Sequence, residues 1–296
     1  MRKISFVGLV AAALAAAPFG SAQQPPAAPF QTHQVAPNVY YVEGGGGNTG
    51  VIVGEKGVIL IDAKTTADSG KQCADAVAKI TAKPVTTIIL THSDVDHVGG
   101  LVAFPNGLTI IAQEGNKKEQ EVAVAAGGPR APSPDYLPTR VVSKPKEDLT
   151  IDGVKFELLH WAPAHTSGDL IVFLPTQKIV FTGDIITTNR FQPLIHAEKD
   201  GSSEGWITTV KGMVALNADQ YVSGHGDVLK KDAIQEKLDK ATAERDKIKE
   251  LVAKGQTLAQ VEASVGDPPP SEAQGNGGPR FAPYSEVVYR ELAKKQ

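Results

Sequence analysis

Cysteine is almost absent from this sequence, because Cys73 is the only one among 296 residues. A single thiol forms no intramolecular disulfide, so an oxidising compartment would add no covalent cross-link to the fold. Cys73 falls in a predicted helix, and we interpret it as a small buried hydrophobic residue.

The sequence also has no excess of positive charge. It contains 30 Lys and Arg residues and 33 Asp and Glu residues, and the net charge is -3. No basic stripe runs along the chain, which removes the electrostatic reason for binding nucleic acid. We therefore expect a small-molecule substrate and no nucleic-acid partner. The composition leaves the oligomeric state open.

Long apolar segments are missing beyond the amino terminus. There, Arg2 and Lys3 precede an apolar run over residues 4–17, and small residues follow up to Ala22. This order predicts a cleavable signal peptide, residues 1–22, and a periplasmic or secreted protein. The run is short and rich in alanine, so we expect no stable membrane association after cleavage, with an uncleaved anchor as the alternative.

The remaining chain divides into three parts. Residues 23–36 open with a Pro/Ala/Gln-rich stretch and predict a flexible segment. Residues 37–266 alternate short β-rich runs with helical patterns in two successive halves, which predicts an α/β domain. Residues 267–296 begin with a Pro/Gly-rich loop and predict a final helix.

Four of the seven histidines lie in short motifs that follow predicted strands. The motifs are "HSDVDH" at residues 92–97, "PAHTSGD" around His165, "FTGD" ending at Asp184 and "SGHGD" around His225. In α/β folds, strand ends gather ligands at one edge of the sheets. The other three histidines fit no ligand position.

The cluster at residues 92–97 has the spacing of a metal site. His92 and Asp94 can point to the same side of an extended turn, and Asp96 and His97 fall at the start of a helix. The glycines that follow have no Cβ and would let this helix approach the ions closely. Two divalent ions about 3.5–4 Å apart need a bridging carboxylate and imidazole ligands, which these side chains supply.

Together, the motifs and their order resemble the metallo-β-lactamase superfamily over residues 39–226. The resemblance implies an α/β fold, an αββα sandwich of two mixed β-sheets flanked by helices, with a binuclear metal centre at one edge. It places His92, Asp94 and His165 on the first ion, Asp96, His97 and His225 on the second, Asp184 between the ions, and Asp62 behind the ligands.

Asp94 departs from the family pattern, which usually has histidine at this position. A third carboxylate adds one negative charge to the ligand set, and carboxylates favour harder ions than imidazoles do. We expect two divalent metal ions, with zinc as the first choice and manganese or iron as the alternatives.

These residues predict an exported metal-dependent hydrolase. The ions would lower the pKa of a water molecule toward about 7, and the resulting hydroxide, oriented by Asp96 as the catalytic residue, would attack the substrate. A cyclic amide or ester, such as a β-lactam or lactone, is the leading substrate class. The alternatives are a small phosphodiester, a di-iron redox centre, and a metal-binding protein of the same fold without catalysis.

Substrate contacts are expected from residues near the motifs. Thr187 stands where many β-lactamases have a lysine for the carboxylate of the drug, and Arg190 is the candidate replacement. His196 lies in the same segment and is expected at the rim of the pocket. Asn48 belongs to the glycine-rich residues 44–50, which we interpret either as a substrate-covering loop or as an ordinary hairpin turn.

Overall fold

The computed structural model describes residues 30–266 and 281–294. In this part of the chain, two β-sheets pack face to face and helices cover both outer faces. The strands are β1 Gln31–Ala36, β2 Val39–Glu43, β3 Thr49–Val53, β4 Val58–Ile61, β5 Val85–Ile89, β6 Thr109–Gln113, β7 Arg140–Val142, β8 Lys146–Ile151, β9 Val154–Leu159, β10 Ile171–Leu174, β11 Ile179–Phe181, β12 Gln220–Val222 and β13 Val228–Leu229. The helices are α1 Ala67–Ile80, α2 Val95–Val98, α3 Glu114–Ala126, α4 Ser203–Ala215, α5 Lys231–Ala253, α6 Leu258–Val265 and α7 Tyr284–Ala293. The predicted signal peptide and most of the predicted loop after residue 266 lie outside the described residues.

The first sheet contains β1 to β7 in chain order. Its first four strands are antiparallel, whereas β4 to β7 run parallel, with Ile61 opposite Ile89 and Ile89 opposite Ile111. Every residue of β4 is buried, as expected for a parallel strand that is covered on both faces. The parallel order brings the carboxyl ends of β4 and β5 to the same edge, and Asp62 and His92 follow these ends.

The second sheet contains β8 to β13, also in chain order. Neighbouring strands are antiparallel except β11 and β12, which run parallel and are connected through α4. The carboxyl ends of β11 and β12 therefore lie at one edge of this sheet. Asp184 and His225 each come three residues after one of these ends.

Three apolar layers stabilise the stack of sheets and helices. The layer between the two sheets includes Ile52, Phe156 and Phe181. One outer layer packs the second sheet against α4, α5 and α7 around the buried Trp206, and the other packs the first sheet against α1 around Cys73. This order of layers confirms the predicted αββα sandwich, and Cys73 is the buried residue that the sequence predicts.

The helices of the second half bury apolar side chains against the second sheet. In α5, apolar residues recur at helical spacing, and Ile234, Leu238 and Ile248 are buried in the core. α7 adds Tyr284 and Val288 to the same apolar layer, so the carboxyl-terminal helix is part of the packed domain. Among the described residues, no helix combines the length and apolar character needed to cross a membrane.

The amino-terminal boundary differs from the sequence expectation. Residues 31–36, which composition assigns to a flexible segment, form β1 and pair with β2 in antiparallel register, with Thr32 opposite Val42. The pairing satisfies the backbone hydrogen bonds of residues that have little apolar character of their own. Cross-strand pairing thus overrides local composition here.

Candidate metal centre

The edge of the first sheet presents four of the candidate ligands. β5 leads into the motif at residues 92–97, and the short helix α2 carries Asp96 and His97. The backbone N–H of Ala63 donates a hydrogen bond of 2.7 Å to the carbonyl oxygen of His97, which ties α2 to the end of β4. The motif is therefore held between two neighbouring parallel strands.

Two glycines allow α2 to lie against the chain that follows β4. A Cβ atom at Gly99 would lie 2.0 Å from the carbonyl oxygen of Thr65, and one at Gly100 would lie 2.0 Å from that of Ala63. Backbone atoms cannot shift cheaply to accept such contacts. These glycines therefore allow α2 to pack on the backbone of residues 63–65, and the close approach to the ions stays a prediction.

The second sheet contributes the remaining three candidate ligands. His165 lies in the loop between β9 and β10, Asp184 lies in a 3-10 turn after β11, and His225 lies between β12 and β13. Gly224 makes room for Asp184, because a Cβ there would lie 2.0 Å from the Asp184 Oδ1 atom. Both sheets therefore place their candidate ligands at the same edge of the sandwich.

The seven side chains form three groups whose ligand atoms lie within 4.8 Å of one another. The groups are His92 with Asp94 and His165; His92 with His97 and Asp184; and Asp96 with His97 and His225. The second group joins His92, which the resemblance places on the first ion, to His97, which it places on the second ion. Asp184 therefore stands where a carboxylate could contact two neighbouring ions.

The donor atoms fit a divalent metal because several of them are buried without a hydrogen-bond partner in the described part of the chain. These atoms are Nε2 of His92, Nε2 of His97 and Oδ1 of Asp184. The last two lie 3.2 Å apart but do not have hydrogen-bond geometry. Unpaired buried polar atoms are costly, and mixed imidazole and carboxylate ligands suit zinc and other divalent transition metals.

The remote nitrogen of each buried imidazole is held by a partner. Asp62 Oδ2 lies 2.8 Å from Nδ1 of His97, and the same carboxylate accepts hydrogen bonds from the backbone and hydroxyl of Thr91. Nδ1 of His165 lies 3.0 Å from the carbonyl oxygen of Leu194. These contacts orient Nε2 toward the centre, which is the arrangement that supports metal-binding histidines. Asp62 thus lies behind the ligands, where the resemblance places it.

In the metal-free cluster, protonated imidazoles supply positive charge beside the carboxylates. Burial lowers the pKa of His165 and His225, but hydrogen bonds and attraction from nearby carboxylates outweigh burial and raise each pKa to about 9. For His92, burial and the neighbouring imidazoles hold the pKa well below its ordinary value. Burial raises the pKa of Asp184, yet the adjacent imidazoles outweigh it and hold that pKa well below the ordinary value. In metal-free protein, the buried carboxylates are therefore neutralised by imidazolium groups.

Asp94 contacts His165, which the resemblance places on the same ion, and two further residues. Its Oδ2 atom lies 3.1 Å from Nε2 of His165, and its Oδ1 atom accepts a hydrogen bond of 2.5 Å from Nζ of Lys199. Nδ1 of His196 lies 3.2 Å from the same Oδ1 atom. His196 is thus next to the ligand cluster and also lines the pocket, as expected. Lys199 was missed, because 105 residues of sequence separate it from Asp94.

The candidate ligands open onto a cavity of about 1130 Å³. Thr187 and Arg190, two of the predicted substrate contacts, line this cavity together with Phe281. The guanidinium carbon of Arg190 lies 6.0 Å from the centre of the Phe281 ring, within the range of a cation–π contact. The cavity therefore combines acidic ligand residues, an exposed cation and an aromatic surface.

Asn48, which was predicted as a substrate contact, is not among the residues that line the cavity. Its side-chain amide donates hydrogen bonds of 3.0 Å to the carbonyl oxygen of Ser223 and 2.8 Å to that of Gly226, and the residue is buried. These bonds hold the loop that carries His225. The buried amide is satisfied by carbonyl groups of a segment 175 residues away, a contact that favours a structural role for Asn48.

In the glycine-rich segment 44–50, residues 44–48 connect the antiparallel strands β2 and β3 and pack against the metal centre. A Cβ at Gly47 would lie 2.2 Å from Cε1 of the His97 ring. Lys64 Nζ donates hydrogen bonds to the carbonyl oxygens of Val42 and Gly47, and these bonds hold the two ends of the hairpin connection. The hairpin interpretation therefore describes the structure, and the glycines serve close packing on a ligand.

The fold and the cluster define a class, the αββα proteins that bind metal ions at the edge of two sheets. The metallo-beta-lactamase superfamily model matches residues 42–225, and this chain belongs to that superfamily. The sequence is 31% identical over 197 residues to the alpha subunit of 2,4-dinitroanisole O-demethylase from Nocardioides sp. (strain JS1661), a match that covers 66% of this chain and 57% of that subunit. It is 26% identical to the metallo-beta-lactamase type 2 from Bacillus sp. (strain 170), over 62% of this chain and 68% of that protein.

A solved structure shows the same fold. The stereoselective inverting sec-alkylsulfatase from Pseudomonas sp. superposes with a TM-score of 0.70 at 18% identity, covering 88% of this chain and 50% of the sulfatase. The chain thus spans 57% of the demethylase subunit and half of the sulfatase. These proteins differ in the substrates that their names state.

Proposed function

We propose that this protein is an exported, metal-dependent hydrolase of a small molecule, with a cyclic amide or ester as its substrate class. One observation supports this most directly: three groups of buried imidazole and carboxylate side chains converge at the wall of one large cavity. A purely structural cluster would not need seven such residues beside a pocket of about 1130 Å³. The convergence favours catalysis over metal storage.

The donor set indicates two divalent ions, with zinc first and manganese or iron as alternatives. When bound, such ions lower the pKa of a water molecule toward about 7 and polarise the oxygen of a substrate. The residues His92, Asp94 and His165 would hold one ion, and the residues Asp96, His97 and His225 would hold the other.

Asp96 is the ligand best placed to assist the reaction. Its side chain is one-third exposed and lines the cavity, and its Oδ2 atom lies 3.0 Å from Nε2 of His225. One carboxylate oxygen can remain on the imidazole side while the other accepts a proton from attacking water or fixes its direction. Arg190, on the cavity wall, can pair with an anionic group of the substrate.

A second candidate function is cleavage of an activated aryl ether. It is favoured by the 31% identity to a subunit of the dinitroanisole demethylase. Tyr136 and Phe281 also line the cavity and offer surfaces for a planar ring. Two alternatives are tested alongside these candidates. They are hydrolysis of a small phosphodiester and metal binding without catalysis.

A substrate panel distinguishes these functions. The purified protein, loaded with zinc or manganese, is assayed with a chromogenic lactam, a lactone, a thioester, a phosphodiester, an alkyl sulfate and 2,4-dinitroanisole. We expect turnover of the lactam or lactone that disappears in His165→Ala and with a chelator. Two bound ions without turnover of any substrate would favour the non-catalytic alternative.

Export is tested separately. We propose a periplasmic or secreted protein that begins near Gln23, on the basis of the charged, apolar and small-residue order of residues 1–22. Mass spectrometry of the protein from fractionated cells measures its amino terminus. A product in the cytoplasm that still contains Met1 would overturn the export proposal and leave the metal site unaffected.

A further inference from the structure

The two oxygen atoms of Asp94 face different partners. Oδ2 points to the metal-binding side, 3.1 Å from Nε2 of His165 and 3.8 Å from Nε2 of His92. Oδ1 points away from these atoms and contacts Lys199 Nζ at 2.5 Å and His196 Nδ1 at 3.2 Å. The carboxylate is thus divided between a ligand atom and an ion pair.

Lys199 is held in this position by its own polar network. Its Nζ atom also donates to Oγ of Ser93 at 2.7 Å, and Ser93 donates in turn to Glu119. Glu119 accepts a second hydrogen bond of 2.6 Å from Oγ of Ser167. The ammonium group therefore has two oxygen partners with fixed surroundings, and is not a freely moving surface charge.

The backbone fixes the same segment against the ligand loop. The N–H of His196 donates to the carbonyl oxygen of His165 at 2.7 Å, and the N–H of Ser167 donates to that of Lys199 at 2.8 Å. The loop that carries His165 and the turn that carries Lys199 are consequently one unit. The position of Lys199 beside Asp94 is therefore tied to the position of the loop that carries His165.

Charge explains why the two residues belong together. Aspartate in place of histidine adds one negative charge to the ligands of the first ion, and Lys199 adds one positive charge beside it. The pair is neutral, as an unprotonated histidine would be. Because the side chain of Asp94 is only 9% exposed, solvent screens its charge little, and a nearby cation has a large effect.

We propose that Lys199 is a positioning residue that compensates the charge of Asp94 and reserves one carboxylate oxygen, Oδ2, for the first metal ion. The inference rests on the proposed function only in requiring that this cluster binds metal. The Asp94 and Lys199 pair then has no net charge beside the first ion, and each residue is tolerated because the other is present.

Four variants test the pair: Lys199→Met, Lys199→Arg, Asp94→His and the double variant Asp94→His/Lys199→Met. Titration calorimetry measures the Kd of Mn²⁺ and of Zn²⁺ for each protein, and the absorption spectrum of bound Co²⁺ reports the ligand geometry. Lys118→Met, an exposed change on α3, serves as the control for loss of a lysine. Circular dichroism establishes that each variant folds.

We expect opposite effects from the single variants. Lys199→Met removes a cation beside the metal and should tighten Mn²⁺ binding by about tenfold, whereas Asp94→His leaves an uncompensated cation and should weaken it by about tenfold. The double variant restores the charge balance and should bind within about threefold of wild type, with a Co²⁺ spectrum altered by the new imidazole. Lys199→Arg retains the charge and should resemble wild type.

Results from the single variant, the double variant or the wild type could overturn the proposal. If Lys199→Met weakens Mn²⁺ binding, or matches both wild type and Lys118→Met within twofold, Lys199 does not compensate Asp94. If the double variant binds no better than Asp94→His, the two charges are not coupled. Wild type that binds neither Mn²⁺ nor Zn²⁺ would overturn the metal-dependent function as well, whereas normal binding with unaffected variants would overturn this inference alone.

Discussion

Raising the pH should destabilise the metal-free protein over a defined window. The pKa of His165 is about 9 in the folded protein, above the ordinary value of 6.5, because Asp94 and nearby carboxylates outweigh the effect of burial. A raised folded pKa contributes stability that is complete below about 6.5 and is lost as the pH rises through about 9. The protonated imidazole neutralises buried carboxylates, so its deprotonation leaves their charges uncompensated.

The expected size follows from the same pKa values. The difference between about 9 and 6.5 for His165 corresponds to about 3 kcal/mol in the free energy of unfolding, as an order of magnitude. His225, whose pKa is also about 9, acts in the same direction. Lys64 opposes them above about pH 8, because burial lowers its pKa to about 8 and the folded protein loses that proton before the unfolded chain does. For a domain of this size, about 3 kcal/mol corresponds to a fall in Tm of roughly 6–12 °C.

Thermal unfolding with and without metal measures the effect. Protein treated with a chelator is melted between pH 6 and pH 9.5, and the same series is repeated with saturating zinc. Metal binding requires unprotonated imidazoles, so the loaded protein should lack this decline, and calorimetry at pH 7 should detect proton release on binding. A metal-free Tm that is constant or rises between pH 6.5 and pH 9 would refute the reasoning.

Four substitutions test other parts of the centre. Gly47→Ala should cost about 1–3 kcal/mol in urea unfolding, since the new Cβ would lie 2.2 Å from the buried His97 ring; unchanged stability would show that the hairpin adjusts freely. Asp62→Asn keeps the shape but removes the charge behind His97, and should weaken zinc binding by about 10–100-fold in calorimetry. An affinity within twofold of wild type would exclude this supporting role. His165→Ala and His225→Ala should each lose one ion per chain by elemental analysis, and two retained ions in both variants would contradict the ligand assignment.

Local sequence determined much of this protein. Apolar runs such as residues 58–61 and 85–90 predict buried strands, and the stripe that contains Ile234 and Leu238 predicts the buried face of α5. The four motifs were recognisable because ligand-type side chains and glycines occur together directly after such strands. The α/β class and the candidate motifs could be predicted for this reason, whereas the αββα sandwich and the assignment of seven ligands followed from the resemblance to the metallo-β-lactamase superfamily.

Tertiary structure alone decided which of the other polar side chains meet the centre. Lys199 reaches Asp94 and Asn48 reaches Ser223 only because the two sheets pack face to face, and β1 forms only because β2 offers a partner strand. Gly47 likewise acquires its role from the ring of His97, fifty residues further along the chain. No local pattern encodes these pairings, since a lysine, an amide or a glycine has the same local sequence signature wherever it lies. Their function depends on the distances that close packing imposes between segments far apart in sequence.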